Sequence, residues 1–150
     1  MFPDSLRRII LPSYFFISNY DGGLSFSGCK SLESITVACG APGPFGKAMD
    51  IHGVLFWEEP NIKGETLVKY PANKGTEYKI PECTSKISLG AFDDCQLTRL
   101  IMPVVPPTCK EGAFLGVNLT ALTLVVPKGC YDSYWLHPVF GKFNIEELSE

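Results

Sequence analysis

Apolar residues recur in this chain with a period of 22, and this period constrains the fold more than any other feature. Phe92 and Phe114 are 22 residues apart, as are Pro81 and Pro103. The positions between these marks also match: Gly90-Ala91-Phe92 corresponds to Gly112-Ala113-Phe114, and Leu97, Leu100 and Met102 correspond to Leu119, Leu122 and Leu124. A fixed period in the low twenties is typical of a solenoid, whose coils stack on one another.

A single coil of this length cannot be stable alone. Ordering its backbone costs roughly 20–40 kcal/mol, at about 1–2 kcal/mol per residue. Its large apolar residues return only about 2 kcal/mol each. We therefore expect the coils to share one interior, and we expect a long outer surface in place of a compact reaction centre.

The composition favours one mainly β domain. The chain has 150 residues, of which 45% are hydrophobic, and these are enough for a continuous core. The net charge is −3 and the basic residues are scattered, which argues against binding to nucleic acid. The 12 Pro and 14 Gly are spread singly and favour short strands and turns. No run of apolar residues approaches the ~18 that a membrane span needs.

The repeat pattern divides the single domain 1–150 into four parts. Residues 1–37 form irregular first turns, 38–80 a loop and β-hairpin insert, 81–127 the regular turns and 128–150 a C-terminal cap. Within the insert, Cys39 to Asp50 is predicted to be a loop rich in Gly and Pro. Three β-rich segments follow, and we expect the chain to re-enter the array at Pro81. Those segments are Gly53–Trp57, Thr66–Tyr70 and Tyr78–Pro81.

The C-terminal residues predict a lid on the last turn. Cys130 to Leu136 is predicted to form a short helix with Tyr131 and Trp135 on one face. Pro138 ends it, and the apolar residues Phe140, Phe143 and Ile145 are expected to fold over the last turn. No comparable lid precedes Leu6. Either more turns precede this segment in a longer array, or a partner or a second copy covers the uncapped N-terminal end.

Of the six cysteines, those that fall in the repeat columns are predicted to be free thiols in the core. Four of them occupy repeat positions where another turn has Val or Ile, as a small buried thiol can: Cys29, Cys83, Cys95 and Cys109. Cys29 and Cys95 are three turns apart, or roughly 14 Å at ~4.8 Å per turn, which is too far for a disulfide. Cys39 and Cys130 fall outside the columns, and their redox state stays open.

The segment from Ile87 to Pro103 resembles the BspA-like leucine-rich repeats. It reads Ile-x-x-Gly-Ala-Phe-x-x-Cys-x-Leu-x-x-Leu-x-Met-Pro, against a family unit of Ile-Gly-x-x-Ala-Phe-x-x-Cys-x-x-Leu-x-x-Ile-x-Leu-Pro. The segments Gly53–Phe56, Leu67–Pro71 and Tyr78–Pro81 are similar to the hairpin insert of that family. The resemblance departs at Ser88, where the family has Gly, and one residue is missing after Cys95.

The resemblance implies a leucine-rich-repeat solenoid from a surface or secreted bacterial protein that binds proteins or glycans. It implies no catalytic residues and no cofactor. The chain itself has no convincing signal peptide, because Asp4 and Pro12 interrupt the basic and apolar stretches near Arg7-Arg8.

Strand alternation provides the candidate protein-binding face. If Leu100 and Met102 point inward, their neighbours point outward. The same logic in each turn gives outward columns of apolar and small polar residues, which suit a partner surface: Arg8, Ile10, Ser34, Thr36, Arg99, Ile101, Ala121 and Thr123. A solvent-exposed sheet without a ligand is the alternative.

A second candidate site is an aromatic platform for glycans. Trp57, Tyr70 and Tyr78 on the hairpin could stack on a sugar ring, or they could pack the hairpin onto the array. Neither His52 nor His137 has a Cys or carboxylate at ligand spacing, so no metal site and no enzyme is predicted. The sequence thus predicts a non-enzymatic module for protein binding or adhesion at the cell surface. The alternatives are a structural spacer in a larger surface protein and a glycan-binding module.

Overall fold

A computed structural model describes residues 4–12, 26, 28–38, 46–59, 61–109 and 111–149. The strands in this part of the chain are β1 (Arg8–Leu11), β2 (Ser34–Val37), β3 (Lys47–Ile51), β4 (Val54–Glu58), β5 (Glu65–Lys69), β6 (Glu77–Lys79), β7 (Thr84–Ile87), β8 (Arg99–Ile101), β9 (Thr108–Cys109), β10 (Thr123–Val126) and β11 (Asn144–Glu147). Between β10 and β11 lie helix α1 (Tyr131–Trp135) and a 3-10 turn (Phe140–Lys142).

The strands form three sheets. The N-terminal sheet contains β1 and β2, the hairpin sheet has the order β3-β4-β5-β7-β9, and the C-terminal sheet has the order β6-β8-β10-β11. The chain passes repeatedly from the hairpin sheet to the C-terminal sheet, and successive coils pair in parallel. The fold is therefore a mainly β solenoid, as the period of 22 predicts.

The aromatic positions of successive coils stack inside the solenoid. The rings of Phe92 and Phe114 are parallel to within 4°, with centroids 4.9 Å apart. Tyr70 stacks on Phe92 from one side, and Phe143 of the cap meets Phe114 edge-on at 5.0 Å. Phe92 is fully buried. The predicted equivalence of Phe92 and Phe114 is confirmed.

The strand register corrects one part of the predicted alignment. The turns keep the offset of 22, since Gly90 N–H donates to Gly112 O and Glu77 pairs with Arg99. β10, however, pairs Leu124 with Leu100, an offset of 24. The two additional residues are accommodated where Asn118 accepts hydrogen bonds from its own backbone neighbours. The predicted match of Leu100 with Leu122, and of Met102 with Leu124, is therefore wrong by two residues.

The hairpin lies inside the molecule and does not project from it. Val54 and Phe56 of β4 pack into the solenoid core, whereas Leu55 and Trp57 pack into a separate N-terminal core with residues of β1 and β2. All four side chains are at most 8% exposed. A run of consecutive apolar residues is typical of a strand buried on both faces. β4 thus divides the interior into two clusters, so the predicted single interior is wrong in this respect.

Two further predictions about the insert are corrected. β3 is a strand, although Cys39 to Asp50 was expected to be a loop; β3 and β4 are joined by His52 and Gly53, which both have positive φ, as a tight hairpin turn requires. The array resumes at β5, well before Pro81, because β5 already pairs in parallel with β7.

The cap forms the predicted helix and adds a strand. Tyr134 of α1 is fully buried, and its hydroxyl donates to the carbonyl oxygen of Pro103. Phe140 is also fully buried and Phe143 is 5% exposed, as expected for a lid. Ile145 is half-buried and packs against the same core, and it lies in β11, where it pairs with Leu124. The cap therefore extends the C-terminal sheet by one parallel strand.

The cysteines agree with the core-thiol prediction except at one position. Cys95 and Cys130 are buried free thiols, and Cys29 and Cys109 are buried too. Cys83 is free but exposed, because the chain turns there and the Thr84 N–H donates to Pro81 O. The prediction that Cys83 is a core residue is wrong. Cys39 lies outside the described residues.

Candidate functional site

The C-terminal sheet presents a four-stranded outer face along the solenoid. The strand register places two outward columns side by side. One column contains Glu77, Arg99, Thr123 and Asn144, and the other contains Lys79, Ile101, Val125 and Glu146. All of these residues except Val125 are at least partly exposed. The inward neighbours, such as Leu100 and Leu124, are fully buried, so alternation along each strand separates core from surface.

An ion pair crosses the middle of this face. Arg99 on β8 and Glu146 on β11 flank β10, and their charged atoms Nη1 and Oε2 are 3.6 Å apart. Val125 points outward from the intervening strand, yet it is only 1% exposed. The aliphatic part of an arginine side chain can cover apolar surface, which accounts for this burial. Exposed pairs of this kind contribute little to stability, about 0–1 kcal/mol, so the two charges can separate for a partner.

Three of the predicted site residues come together here, and one does not. Arg99, Ile101 and Thr123 lie on adjacent outward positions of β8 and β10. Ala121 is exposed but precedes β10, because the register is shifted by two residues. Val125 takes the position predicted for Thr123, beside Ile101. The spacing of 24 between Pro103 and Pro127, each of which closely follows its strand, was the sequence signal for this shift.

The four remaining predicted residues occupy a different sheet. Arg8 pairs with Ser34 and Ile10 pairs with Thr36 in the N-terminal sheet. Ile10 is 73% exposed. Among the described residues, the N-terminal sheet and the C-terminal sheet are separate, so the expected single column across all turns is divided in two. The physical reason is the hairpin, whose turn lies next to β2: the Ile35 N–H donates to Gly53 O.

The predicted aromatic platform is not formed. Trp57 is 8% exposed in the N-terminal core, and Tyr70 is 1% exposed in the solenoid core, on the other side of β4. Tyr78 lies 4.8 Å from Tyr70 and packs against Phe92 as well. Burial raises the pKa of the Tyr70 hydroxyl to about 12. Buried rings cannot stack on a sugar, so these residues pack the hairpin onto the array, which was the other interpretation.

The surface carries an aromatic pair that was not predicted to be a site. Tyr131 and Trp135 of α1 have nearly parallel rings with centroids 6.1 Å apart, and they are 37% and 53% exposed. Leu136 beside them is 79% exposed. The spacing of four residues between Tyr131 and Trp135 predicts that they share one helix face. That this face is exposed follows from the structure, in which Cys130 and Tyr134 on the opposite face are buried in the core.

The titratable groups of the interior have structural roles. Lys69 is 5% exposed; its ammonium donates to Gly90 O at 3.1 Å, and burial lowers its pKa against the opposing effect of Asp93. Asp93 accepts the Leu115 N–H at 2.8 Å, and burial raises its pKa. His137 accepts the N–H groups of two cap residues, and burial lowers its pKa.

Across residues 4–149, apart from the gaps given above, no three His, Cys, Asp or Glu side chains are grouped to hold a metal ion. Within the same ranges, no helix is long and apolar enough to cross a bilayer.

Comparison with known proteins supports the fold. No protein-family model matches the chain, and no curated protein sequence is detectably similar to it. The chain is similar to the crystal structure, at 1.80 Å resolution, of a leucine rich cell surface protein from Faecalibacterium prausnitzii A2-165. The TM-score is 0.51 at 19% identity, and the match covers 97% of this chain and 49% of that chain. This chain therefore spans about half the length of its structural neighbour, and the likeness confirms the fold, a leucine-rich-repeat solenoid.

Proposed function

We propose that this chain is a non-enzymatic binding module of a surface or secreted bacterial protein, and that it binds a protein partner through the outer face of the C-terminal sheet. The observation that carries the proposal is the pair of outward columns on β6, β8, β10 and β11. They present apolar and charged groups on one rigid surface, and rigid strands hold a binding surface with little entropy to lose.

The chemistry of this face suits a partner of mixed polarity. Ile101 offers an apolar contact at the centre, and Arg99 and Glu146 offer one charge of each sign. Glu77 and Lys79 add an exposed pair of charges on β6. Arginine and apolar groups at the centre with charges at the rim are typical of protein interfaces. The resemblance to BspA-like repeats supports the proposed location, and so does the structural neighbour, which is a cell surface protein.

The proposal is tested with a double variant of the face. Arg99→Glu with Ile101→Ser reverses a central charge and removes an apolar contact without altering an inward position. The matched control is Lys86→Glu with Val105→Ser, which makes the same kinds of change at exposed positions elsewhere. A partner is first captured from extracellular or host-cell protein, purified, and then measured by surface plasmon resonance.

We expect the face variant to weaken binding at least tenfold, since two central contacts cost about 1–2 kcal/mol each, and we expect the control to bind like the wild type. Equal binding by both variants would show that the C-terminal sheet is not the site. Equal loss in both would show that the effect is not local. Circular dichroism spectra that superimpose confirm that the variants are folded.

The N-terminal sheet offers a second, separate contact. Within the described residues β1 pairs only with β2, and Ile10 on β1 is 73% exposed. We propose that this strand supports self-association. Light scattering after size exclusion should show a concentration-dependent dimer that Ile10→Lys removes; a monomer at all concentrations would refute it.

A further inference from the structure

The last turn and the cap enclose a groove of 370 Å³, which we call the terminal groove. One wall is formed by the turn and the other by the cap: Gly112, Phe114, Gly116 and Val117 face Val139 and Phe143. Phe114 and Phe143 are 8% and 5% exposed and meet edge to face at 5.0 Å. The groove is therefore mainly apolar and lies at the end of the repeat array.

The backbone of the preceding turn shows what the last turn lacks. There, the N–H groups of Gly90, Phe92 and Asp94 donate to three carbonyl oxygens of the next coil, at 2.8–2.9 Å. The acceptors are the carbonyls of Gly112, Ala113 and Leu115. This coil thus donates a row of three N–H groups to the coil that follows it, and in the coil before it the Tyr70 N–H makes the equivalent of the middle bond, to Ala91 O.

Among the described residues, the same row in the last turn has no acceptor. By the offset of 22, the equivalent donors are the N–H groups of Gly112, Phe114 and Gly116. No described residue accepts a hydrogen bond from any of the three. All three residues line the terminal groove. An apolar groove and a row of donors without an acceptor among the described residues therefore coincide. Phe114 in the middle of the row is buried, Gly112 is half-buried and Gly116 is exposed, so the row is open to a partner.

We propose that the terminal groove binds a main-chain turn of a partner polypeptide, whose carbonyl oxygens accept hydrogen bonds from this row. The partner segment continues the hydrogen-bond ladder as one more coil would, which is a form of recognition through backbone pairing. The interface between residues 90–94 and 112–115 is the template. It specifies carbonyls from residues j, j+1 and j+3 of the partner, and an apolar side chain that reaches Phe114.

The charges at the rim favour an uncharged peptide backbone over an anion. The Lys142 ammonium pairs with the Glu111 carboxylate across the mouth of the groove, and this pairing lowers the pKa of Glu111. The rim therefore carries one charge of each sign and no net positive charge that would attract an anion. The three donors are spaced for a second backbone, as their equivalents in the preceding turn show.

The test uses the full chain labelled with ¹⁵N and a head-to-tail cyclic peptide that contains the sequence Gly-Ala-Phe-Leu. Cyclisation holds the turn and reduces the entropy lost on binding. We expect saturable downfield shifts of the amide protons of Gly112, Phe114 and Gly116, at millimolar peptide or below. A cyclic peptide of the same composition in scrambled order, and the trisaccharide of N-acetylglucosamine, should leave them unchanged. Saturation by the sugar and not by the peptide, or shifts located elsewhere, would overturn the proposal.

Two variants assign the binding to the groove. Val117→Trp should fill the groove and abolish the shifts, whereas Arg99→Glu with Ile101→Ser should bind the peptide like the wild type, so the outcome is independent of the sheet face. Because Cys109 is a natural ligation junction, residues 109–150 can be made by synthesis with glycolic acid at position 112. This substitution removes one N–H and no side chain.

If Val117→Trp perturbs the fold, the ester at position 112 tests instead whether the N–H row binds the peptide. Loss of one hydrogen bond should weaken peptide binding about threefold to tenfold. The Glu111 carbonyl, which the ester also weakens as an acceptor, accepts no backbone hydrogen bond from a described residue. Unchanged affinity in the ester would show that the N–H row does not bind the peptide.

Discussion

The stacked aromatic column should contribute more to stability than the apolar area of its members alone. Phe92 is fully buried, and its ring meets Phe114 at 4.9 Å, Tyr70 at 5.6 Å and Tyr78 at 6.5 Å. Truncating a buried Phe to Ala costs about 3–5 kcal/mol, because transfer free energy is lost and a cavity remains. A domain of this size has roughly 5–15 kcal/mol of stability in total. Phe92→Ala should therefore remove at least a fifth of it.

Phe92→Leu separates the ring contribution from the area. Leucine keeps most of the apolar contact but removes the ring pairs, each of which adds about 0.5–1.5 kcal/mol beyond burial. With two close partners, Phe114 and Tyr70, the expected cost is about 1–3 kcal/mol. The assay is guanidinium unfolding in reducing buffer, followed by far-UV circular dichroism and by the fluorescence of the buried Trp57.

A double-mutant cycle of Phe92→Leu and Phe114→Leu measures the stack itself. The parallel rings predict a coupling free energy of about 0.5–1.5 kcal/mol. Residues in unrelated places add to within about 0.3–0.5 kcal/mol. Additive costs in the cycle, or a cost below about 1 kcal/mol for Phe92→Ala, would refute the stacked column and the equivalence of the coils.

Four further predictions follow from individual contacts. His137 Nδ1 accepts hydrogen bonds from the N–H groups of Val139 and Phe140, and burial holds the folded-state pKa of His137 below the usual 6.5. The free energy of unfolding should therefore be at its full value above about pH 6.5 and should fall as the pH drops through the folded-state pKa. In unfolding curves measured at a series of pH values, His137→Gln should reduce this dependence on pH. Gly46→Ala should cost more than about 1 kcal/mol in a thermal melt, because its φ is +134° and the new Cβ would overlap the backbone carbonyl oxygen of Glu58. Gly129→Ala, with φ +84° and nothing within 4 Å, should cost only the backbone strain of about 1 kcal/mol. In a peptide map, iodoacetamide should label the exposed Cys83 before Cys95, Cys109 and Cys130. The reaction of Cys83 should be slow at neutral pH, because partial burial of the sulfur and a hydrogen bond with Glu65 raise the pKa of the Cys83 thiol to about 11. Glu65→Gln should accelerate this reaction. Tyr78→Phe should be neutral or stabilising by up to about 1 kcal/mol in denaturant unfolding, because the buried Tyr78 hydroxyl has no hydrogen-bond partner among the described residues.

The repeat could be predicted from sequence because its chemistry is local. Gly90 and Gly112 recur at positions with φ of +72° and +99°, and the Phe two residues later enters the core in both turns. These constraints act within one coil, so they recur in the sequence with the coil. The Cys109 position was predictable for the same reason: it substitutes for the buried Ile87 of the preceding coil.

The division of the interior by β4 could not be predicted in the same way. Its four consecutive apolar residues show that both faces are buried, but they do not show which elements cover them. Leu32 and Ile35, which help to cover one face of β4, lie about twenty residues earlier, and their spacing is that of an ordinary repeat turn.

The residues of the candidate face were predicted only in part, for a related reason. A two-residue difference in turn length between Val117 and Thr123 is invisible in a leucine pattern, yet it places Val125 beside Ile101 where Thr123 was predicted.

The cap contacts the two sides of the solenoid differently. The backbone N–H groups that lack an acceptor among the described residues therefore lie on one side. On the sheet side, β11 pairs with β10 in register from Thr123 to Val126, so the last strand of the array has a partner. On the turn side, Phe143 covers the ring of Phe114 but offers no carbonyl to the N–H groups of Gly112 and Gly116. An apolar lid can cover a hydrophobic core, but it offers no acceptor to the N–H groups at the end of a hydrogen-bond ladder. The two surfaces proposed for binding therefore have different physical origins: the sheet face recognises through side chains, whereas the terminal groove recognises through the main chain.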